Sequence, residues 1–172
     1  MSGEPATAGV HGDAPDKDRA RREFLSCRVG DETYGIDILK VQEIREVDAG
    51  AVTRVPHVAG FVRGVINLRG AIVPIVDLGL MLGFAEPHPL TQASTIVLNV
   101  DRRLVGLIVT SVSDVIALAD EEIVAAPELA GRAVGAAIEG IGTHADAKAG
   151  NAAHVLLLDV DHLMRRIREE RE

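Results

Sequence analysis

Residues 25–44 read LSCRVGDETYGIDILKVQEI, and residues 96–115 read IVLNVDRRLVGLIVTSVSDV. The second stretch repeats the pattern of the first, displaced by 71 positions. Leu25, Cys27 and Val29 fall on Ile96, Leu98 and Val100, and Gly35, Ile36 and Ile38 fall on Gly106, Leu107 and Val109. Val41, Glu43 and Ile44 fall on Val112, Asp114 and Val115, and Pro56 falls on Pro127. With insertions the match runs on: Gly64-Val65 resembles Gly140-Ile141, and Ile75-Val76-Asp77-Leu78 resembles Leu157-Leu158-Asp159-Val160. Self-similarity at a fixed offset marks one structural unit used twice.

Within the repeat the apolar residues alternate. Leu25, Cys27 and Val29 are interleaved with Ser26 and Arg28, the period of a half-buried strand. Gly30-Asp31-Glu32 turns the chain, and Thr33 to Ile38 returns as a second strand. Phe61 to Leu68 and Ala71 to Val76 flank Arg69-Gly70, and Thr95 to Val100 and Leu104 to Val109 flank Asp101-Arg102-Arg103; both read as hairpins. Asp77 is placed to cap a short helix, Leu78 to Leu82, stopped by Gly83. Asp159 stands likewise before a helix starting near Asp161. The expected fold is therefore mainly β. Two similar units, about 24–84 and 95–165, each carry about five short strands, the size of a small barrel, with short helices and a C-terminal helix. Units of that size are marginal alone. Two barrels sharing a hydrophobic core are expected, joined around Pro87 and Pro89. Residues 1–22 hold almost no bulky apolar groups and read as a disordered tail. Residues 166–172 read as the charged, solvated end of the last helix.

Composition narrows the function. Hydrophobic residues make up 47% of the 172, but aromatics only 2%, and Trp is absent. Val, Ile and Leu must then fill the core, and β-branched side chains favour strands. The net charge of −8 argues against a general nucleic-acid binder. A single cysteine, Cys27, excludes an internal disulfide framework and suits a reducing cytoplasm. No apolar leader and no stretch long enough to span a membrane stand in the sequence, so direct membrane insertion is not expected.

The signatures of catalysis are missing. The six His residues, 11, 57, 88, 144, 154 and 162, show no metal-ligand spacing. Cys27 alternates with exposed positions and reads as a small buried hydrophobe. Gly140-Ile141-Gly142 is half of a dinucleotide fingerprint with no helix behind it. Asp77, and the pair Asp159 and Asp161, read as strand ends and helix caps. Three polar features stand apart: Arg69 on a hairpin tip, Arg63 entering the same hairpin, and Glu43 between Val41 and Ile44. Periodicity leaves Val41 and Ile44 open between a surface patch and the core.

Three segments resemble the CheW family of bacterial chemotaxis coupling proteins. They are Tyr34 to Arg45, Gly64 to Leu78, and Val105 to Val109 with Val112 to Val115; the likeness extends over about residues 23–165. The resemblance implies a pair of five-stranded SH3-like barrels, no catalysis and no cofactor. It implies a cytoplasmic adaptor, recruited to membrane receptor arrays, between the cytoplasmic tip of methyl-accepting chemoreceptors and the regulatory domain of the histidine kinase CheA. Other CheW-like subunits in rings are further partners of the family. By motif position, Val41, Glu43, Ile44, Arg63, Gly64, Asn67 and Arg69 would line or support the receptor groove, with Glu43 and Arg69 as a mutual ion pair. Leu129 matches a kinase-contact position where an aromatic residue is common. Gly79 and Thr110 depart from the family pattern.

Two other readings are carried forward. One is a CheW-like adaptor of another receptor–kinase pathway, such as surface motility. The other is a small-ligand-binding double barrel, which would need a polar pocket with convergent ionisable groups.

Overall fold

A computed structural model describes residues 21–91, 93–125, 137–146 and 151–171. The strands are β1 (Arg21–Val29), β2 (Glu32–Asp37), β3 (Val41–Val47), β4 (Val62–Leu68), β5 (Ala71–Asp77), β6 (Ala93–Val100), β7 (Arg103–Val109), β8 (Ser111–Ala119), β9 (Ile123–Ala125), β10 (Ile138–Asp146) and β11 (Asn151–Leu158). The helices are α1 (Leu78–Met81) and α2 (Val160–Arg171). Asp77 caps α1 by accepting from the Leu80 N–H at 3.1 Å. Asp159 accepts from the His162 N–H at 3.0 Å at the start of α2. Both caps are as the sequence predicts.

The strands form two sheets, ordered β8-β1-β2-β11-β10-β9 and β3-β6-β7-β5-β4. This corrects the expected boundaries of the two barrels. Each sheet takes strands from both halves of the chain, so neither barrel coincides with residues 24–84 or 95–165. The exchange is symmetric. Leu25 of β1 pairs with Val115 of β8, and its repeat mate Ile96 of β6 pairs with Ile44 of β3. Cys27 pairs with Val112, and its mate Leu98 pairs with Val41. The crossing continues in two parallel pairings, Gly35 opposite Leu157 and Gly106 opposite Ile75. The third strand of each repeat thus leaves its own first strand and pairs with that of the other. One sheet also carries a sixth, three-residue strand, β9.

Alternation along the strands then sorts side chains into three cores. Phe24 points with Leu118, Val155 and Leu157 into the curl of the first sheet. Val73, Ile75, Val97 and Ile108 fill the second. The opposite faces of both sheets meet in one larger cluster that includes Leu25, Cys27, Ile36, Val76, Ile96, Leu98, Leu107 and Leu158. This is the shared core expected from the size of the units. Cys27 is wholly buried in it, and burial pushes its thiol up to about 12. It packs as a hydrophobe and is not poised as a thiolate.

Two end boundaries also shift. β1 begins at Arg21, two residues inside the expected tail, because its backbone pairs with Ala119 and Leu118 of β8. The charged end of α2 is not wholly solvated. Ile167 is buried in the shared core, and the Arg166 guanidinium lies over the Phe61 ring and donates to the Met81 carbonyl at 2.9 Å. No helix among the described residues is long and apolar enough to cross a membrane.

Candidate functional site

The β4–β5 hairpin closes between Leu68 and Ala71 with Arg69-Gly70 as its two-residue loop. Both loop residues have positive φ, +52° and +89°, the pattern of a type I′ turn. The Asn67 side-chain oxygen accepts from the Gly70 N–H at 2.9 Å and braces the turn. Arg69 is thereby held out on a short, stiff tip.

From there it reaches across the open side of the sheet. β3 and β4 are the two edge strands of that sheet. A bulge between Val41 and Glu43 in β3 sets the direction of the Glu43 side chain. Arg69 Nη1 lies 2.8 Å from Glu43 Oε2 and Nη2 lies 3.4 Å from Oε1, a two-pronged contact that bridges the two edges. Arg45, two residues along the strand, adds a contact at 3.4 Å to Glu43 Oε1. The hydrogen bond from Arg69, with both guanidinium charges, holds the Glu43 carboxyl below its ordinary value of 4.5. The same contact raises Arg69. Beside the pair, Val41 packs partly against the shared core while Ile44 stands 49% exposed. The two readings left open for these residues therefore divide, one side chain to each.

Arg63 belongs to a different place. It lies six residues before Arg69, roughly 20 Å away at ~3.3 Å per strand residue. There its Nη1 donates to Asp77 Oδ2 at 3.2 Å and to the His88 carbonyl at 2.7 Å. Asp77 also accepts from the His88 N–H at 2.8 Å. Arg63 thus ties β4, the start of α1 and the segment leading to β6 together, and the structure does not bring it to Glu43. Gly64, next to it, is buried at the β4 bulge at φ +144°, where a Cβ would run into the Thr53 carbonyl. Its lack of a side chain lets the Thr53 segment pack close against the strand. Leu129 lies outside the described residues.

The Glu43–Arg69 pair is the one the resemblance implies; the other partners of these groups were missed. Arg45 had a signal, since i and i+2 share a strand face. The bond of Gln42 to Asn99 at 2.9 Å, and the ion pair of Lys40 with Asp161 at 3.3 Å, join residues far apart in the chain and had none. The second repeat has its own version of the Arg63 corner with the charge changed. Glu139 stands at the mate position of Arg63, and Arg22 of β1 lies 3.4 Å from it and 3.6 Å from Asp37. Burial, with Asp159 and Asp37 near by, raises the Glu139 carboxyl despite that arginine. Among the described residues no group of three or more His, Cys, Asp or Glu is placed to hold a metal ion.

The family model for the CheW-like domain matches residues 23–168. The chemotaxis protein CheW of Klebsiella aerogenes is 50% identical over 111 residues, which cover 63% of this chain and 64% of that protein, just under two thirds of its length. The CheW protein of Rhizobium meliloti is 41% identical over 109 residues, 63% of this chain and 69% of that protein. The crystal structure of the scaffolding protein TtCheW from Thermoanaerobacter tengcongensis matches with a TM-score of 0.68 at 26% identity, covering 80% of this chain and 88% of that chain. The family is one of scaffold proteins and not of enzymes.

Proposed function

The chain belongs to the CheW-like domain family, and from that premise we propose that it is an adaptor coupling the cytoplasmic tips of methyl-accepting chemoreceptors to the histidine kinase CheA. The observation that carries this reading is the Glu43–Arg69 bridge at 2.8 Å beside the exposed Ile44. A charge presented on a braced turn next to an exposed apolar side chain is what a specific protein contact needs. The apolar group supplies affinity, and the charges fix register and reject wrong partners. Val41, Glu43, Ile44 and Arg69 form the receptor-facing surface on this reading, with Asn67 and Gly64 behind them. Arg63 acts from the fold. Leu129 remains the proposed kinase contact, with other CheW-like subunits as ring partners and the cytoplasmic face of receptor arrays as the place of action.

A second reading stays within the same class. Protein FrzA of Myxococcus xanthus, not named as a chemotaxis protein, is 35% identical over 68 residues, 40% of this chain and 41% of its own. An adaptor for another receptor–kinase pathway is the corresponding alternative. Titrating the chain against receptor-tip fragments from the same genome, and against the CheA regulatory domain, tests both. Binding to a chemoreceptor tip and to CheA supports the first. Binding only to receptors and kinases of another pathway supports the second, and binding to neither defeats both.

A further inference from the structure

A groove of about 550 Å³ opens between the start of β5, the start of β7 and the outer side of α2. β5 and β7 run parallel with Ile75 opposite Gly106, so Ile72 and Arg103 begin the two strands side by side. The floor is apolar, formed by Ile72, Leu104 and Met164, and Ile72 is 65% exposed. The rim carries Arg102, Arg103 and Arg168, and no carboxylate lines it. Among the described residues these three arginine side chains have no ion pair or hydrogen bond, while Arg22, Arg28, Arg45, Arg63 and Arg69 each have a carboxylate partner. The groove runs on into a second recess of about 540 Å³ that shares Arg103, Met164 and Arg168 and adds Arg165. Its two carboxylates are Asp101 and Asp161, the latter engaged by Lys40. The β6–β7 turn that presents Arg102 holds two non-glycine residues, Asp101 and Arg102, at φ +51° and +68°. That is the pattern of a type I′ hairpin turn, which holds Arg102 out at a stiff tip beside the groove.

We propose that this face is a docking site for an acidic peptide segment of a partner protein, one that sets a bulky apolar side chain on the Ile72–Met164 floor between carboxylates held by the three arginines. The net charge of the chain is −8, so a local cluster of unpaired guanidinium groups runs against the field of the whole molecule. Planar guanidinium groups suit two-pronged carboxylate recognition. A concave floor suits an inserted side chain better than a flat anionic membrane, which the overall negative charge would also repel. The groove adjoins the Glu43–Arg69 surface, since Ile72 pairs with Asn67 across the hairpin, but its arginines are different residues and the inference does not depend on the adaptor reading.

The test is a titration of the full isotope-labelled chain, followed by amide NMR, with a short synthetic peptide in which leucine and phenylalanine are flanked by glutamates. The expected result is saturable shifts at Ile72, Leu104 and Met164. Affinity should fall at least about tenfold in Arg103→Glu/Arg168→Glu, since reversing the charge across a complementary interface turns attraction into repulsion. Arg168→Glu alone, on the exposed side of α2, should give a smaller loss in the same direction and guards against a folding defect in the double variant. Replacing the peptide's leucine and phenylalanine by serine should also abolish the shifts. The proposal is overturned by an absence of shifts, by shifts elsewhere, or by affinity indifferent to the arginine changes. Equal binding of the serine peptide would reduce the face to a general polyanion field. Recruitment of the chain by phosphatidylserine vesicles through these same arginines would make it a membrane contact instead.

Discussion

Truncating Arg63 leaves the Asp77 carboxylate, 2% exposed, with two backbone N–H donors and no counter-charge. Losing a charge-assisted hydrogen bond at such a site costs about 2 kcal/mol. For a chain of this size each kcal/mol moves the midpoint by about 2–4 °C, so Arg63→Ala should melt about 4–8 °C lower by circular dichroism. An unchanged midpoint would mean that Asp77 is satisfied without it. Arg69 is the opposite case. Its side chain is 68% exposed, and its pair with Glu43 sits in water, where such bridges add little to stability. Because the folded state holds the Glu43 carboxyl below 4.5, the small stability it contributes is present above that pH and is lost as pH falls through the lowered value. Arg69→Glu should therefore leave the melt nearly intact at neutral pH. It should weaken binding to a receptor-tip fragment at least roughly tenfold, about 1.4 kcal/mol, and spare binding to the CheA regulatory domain. Isothermal titration of both partners decides it: equal receptor affinity removes Arg69 from the contact, and loss of both partners with the melt makes it structural. The exposed place of Arg69 on the turn was legible in the sequence, because a turn residue has no core to serve. The role of Arg63 was not, because its partner Asp77 already had a sufficient explanation as a helix cap and the pair is separated by 14 residues.

The strand pattern carries a built-in ambiguity at the scale of elements. Leu25 and Ile96 are repeat mates, and so are Ile44 and Val115. Pairing β1 with β3 inside one half, or β1 with β8 across the halves, sets side chains of the same kind opposite each other. Hairpins, helix caps and the boundary between polar and apolar faces could thus be read from the sequence, while the crossing of the third strands could not. What the crossing requires is visible at Gly35 and Gly106. A Cβ on Gly106 would stand 2.7 Å from Ile75 Cδ1 and 2.9 Å from Thr95 Cγ2, and one on Gly35 would stand 2.9 Å from Leu157 Cδ2. Both glycines lie where a strand of one repeat receives the parallel strand that closes its sheet. Gly106→Ala should overpack this junction and cost about 1–3 kcal/mol, read as a lower urea midpoint with an unchanged slope. Wild-type behaviour would show that Ile75 and Thr95 can yield.

At the scale of the whole molecule the exchange makes each half the missing part of the other. Residues 1–91 contain β1 and β2 without β8 to β11, and β3 to β5 without β6 and β7. Residues 92–172 have the converse deficit. The largest buried cluster also needs both, since Leu25, Ile36 and Val76 come from one half and Ile96, Leu107 and Leu158 from the other. The arrangement amounts to a domain swap inside one chain. A break in the exposed segment between α1 and β6 should therefore cost connectivity and little else. Each fragment alone should lack a cooperative melt and dispersed amide resonances, because half a sheet leaves its edges and its apolar face in water. Some self-association is expected, as each third strand seeks a first strand elsewhere. Mixed at equal concentration, the two should recover a folded one-to-one complex with a single cooperative transition that moves with concentration, as mass action requires. A fragment that folds by itself, with dispersed resonances and a melt independent of its partner, would show that β3 or β8 can return to the first strand of its own half, and that the crossing is a preference of the intact chain and not a condition of its fold.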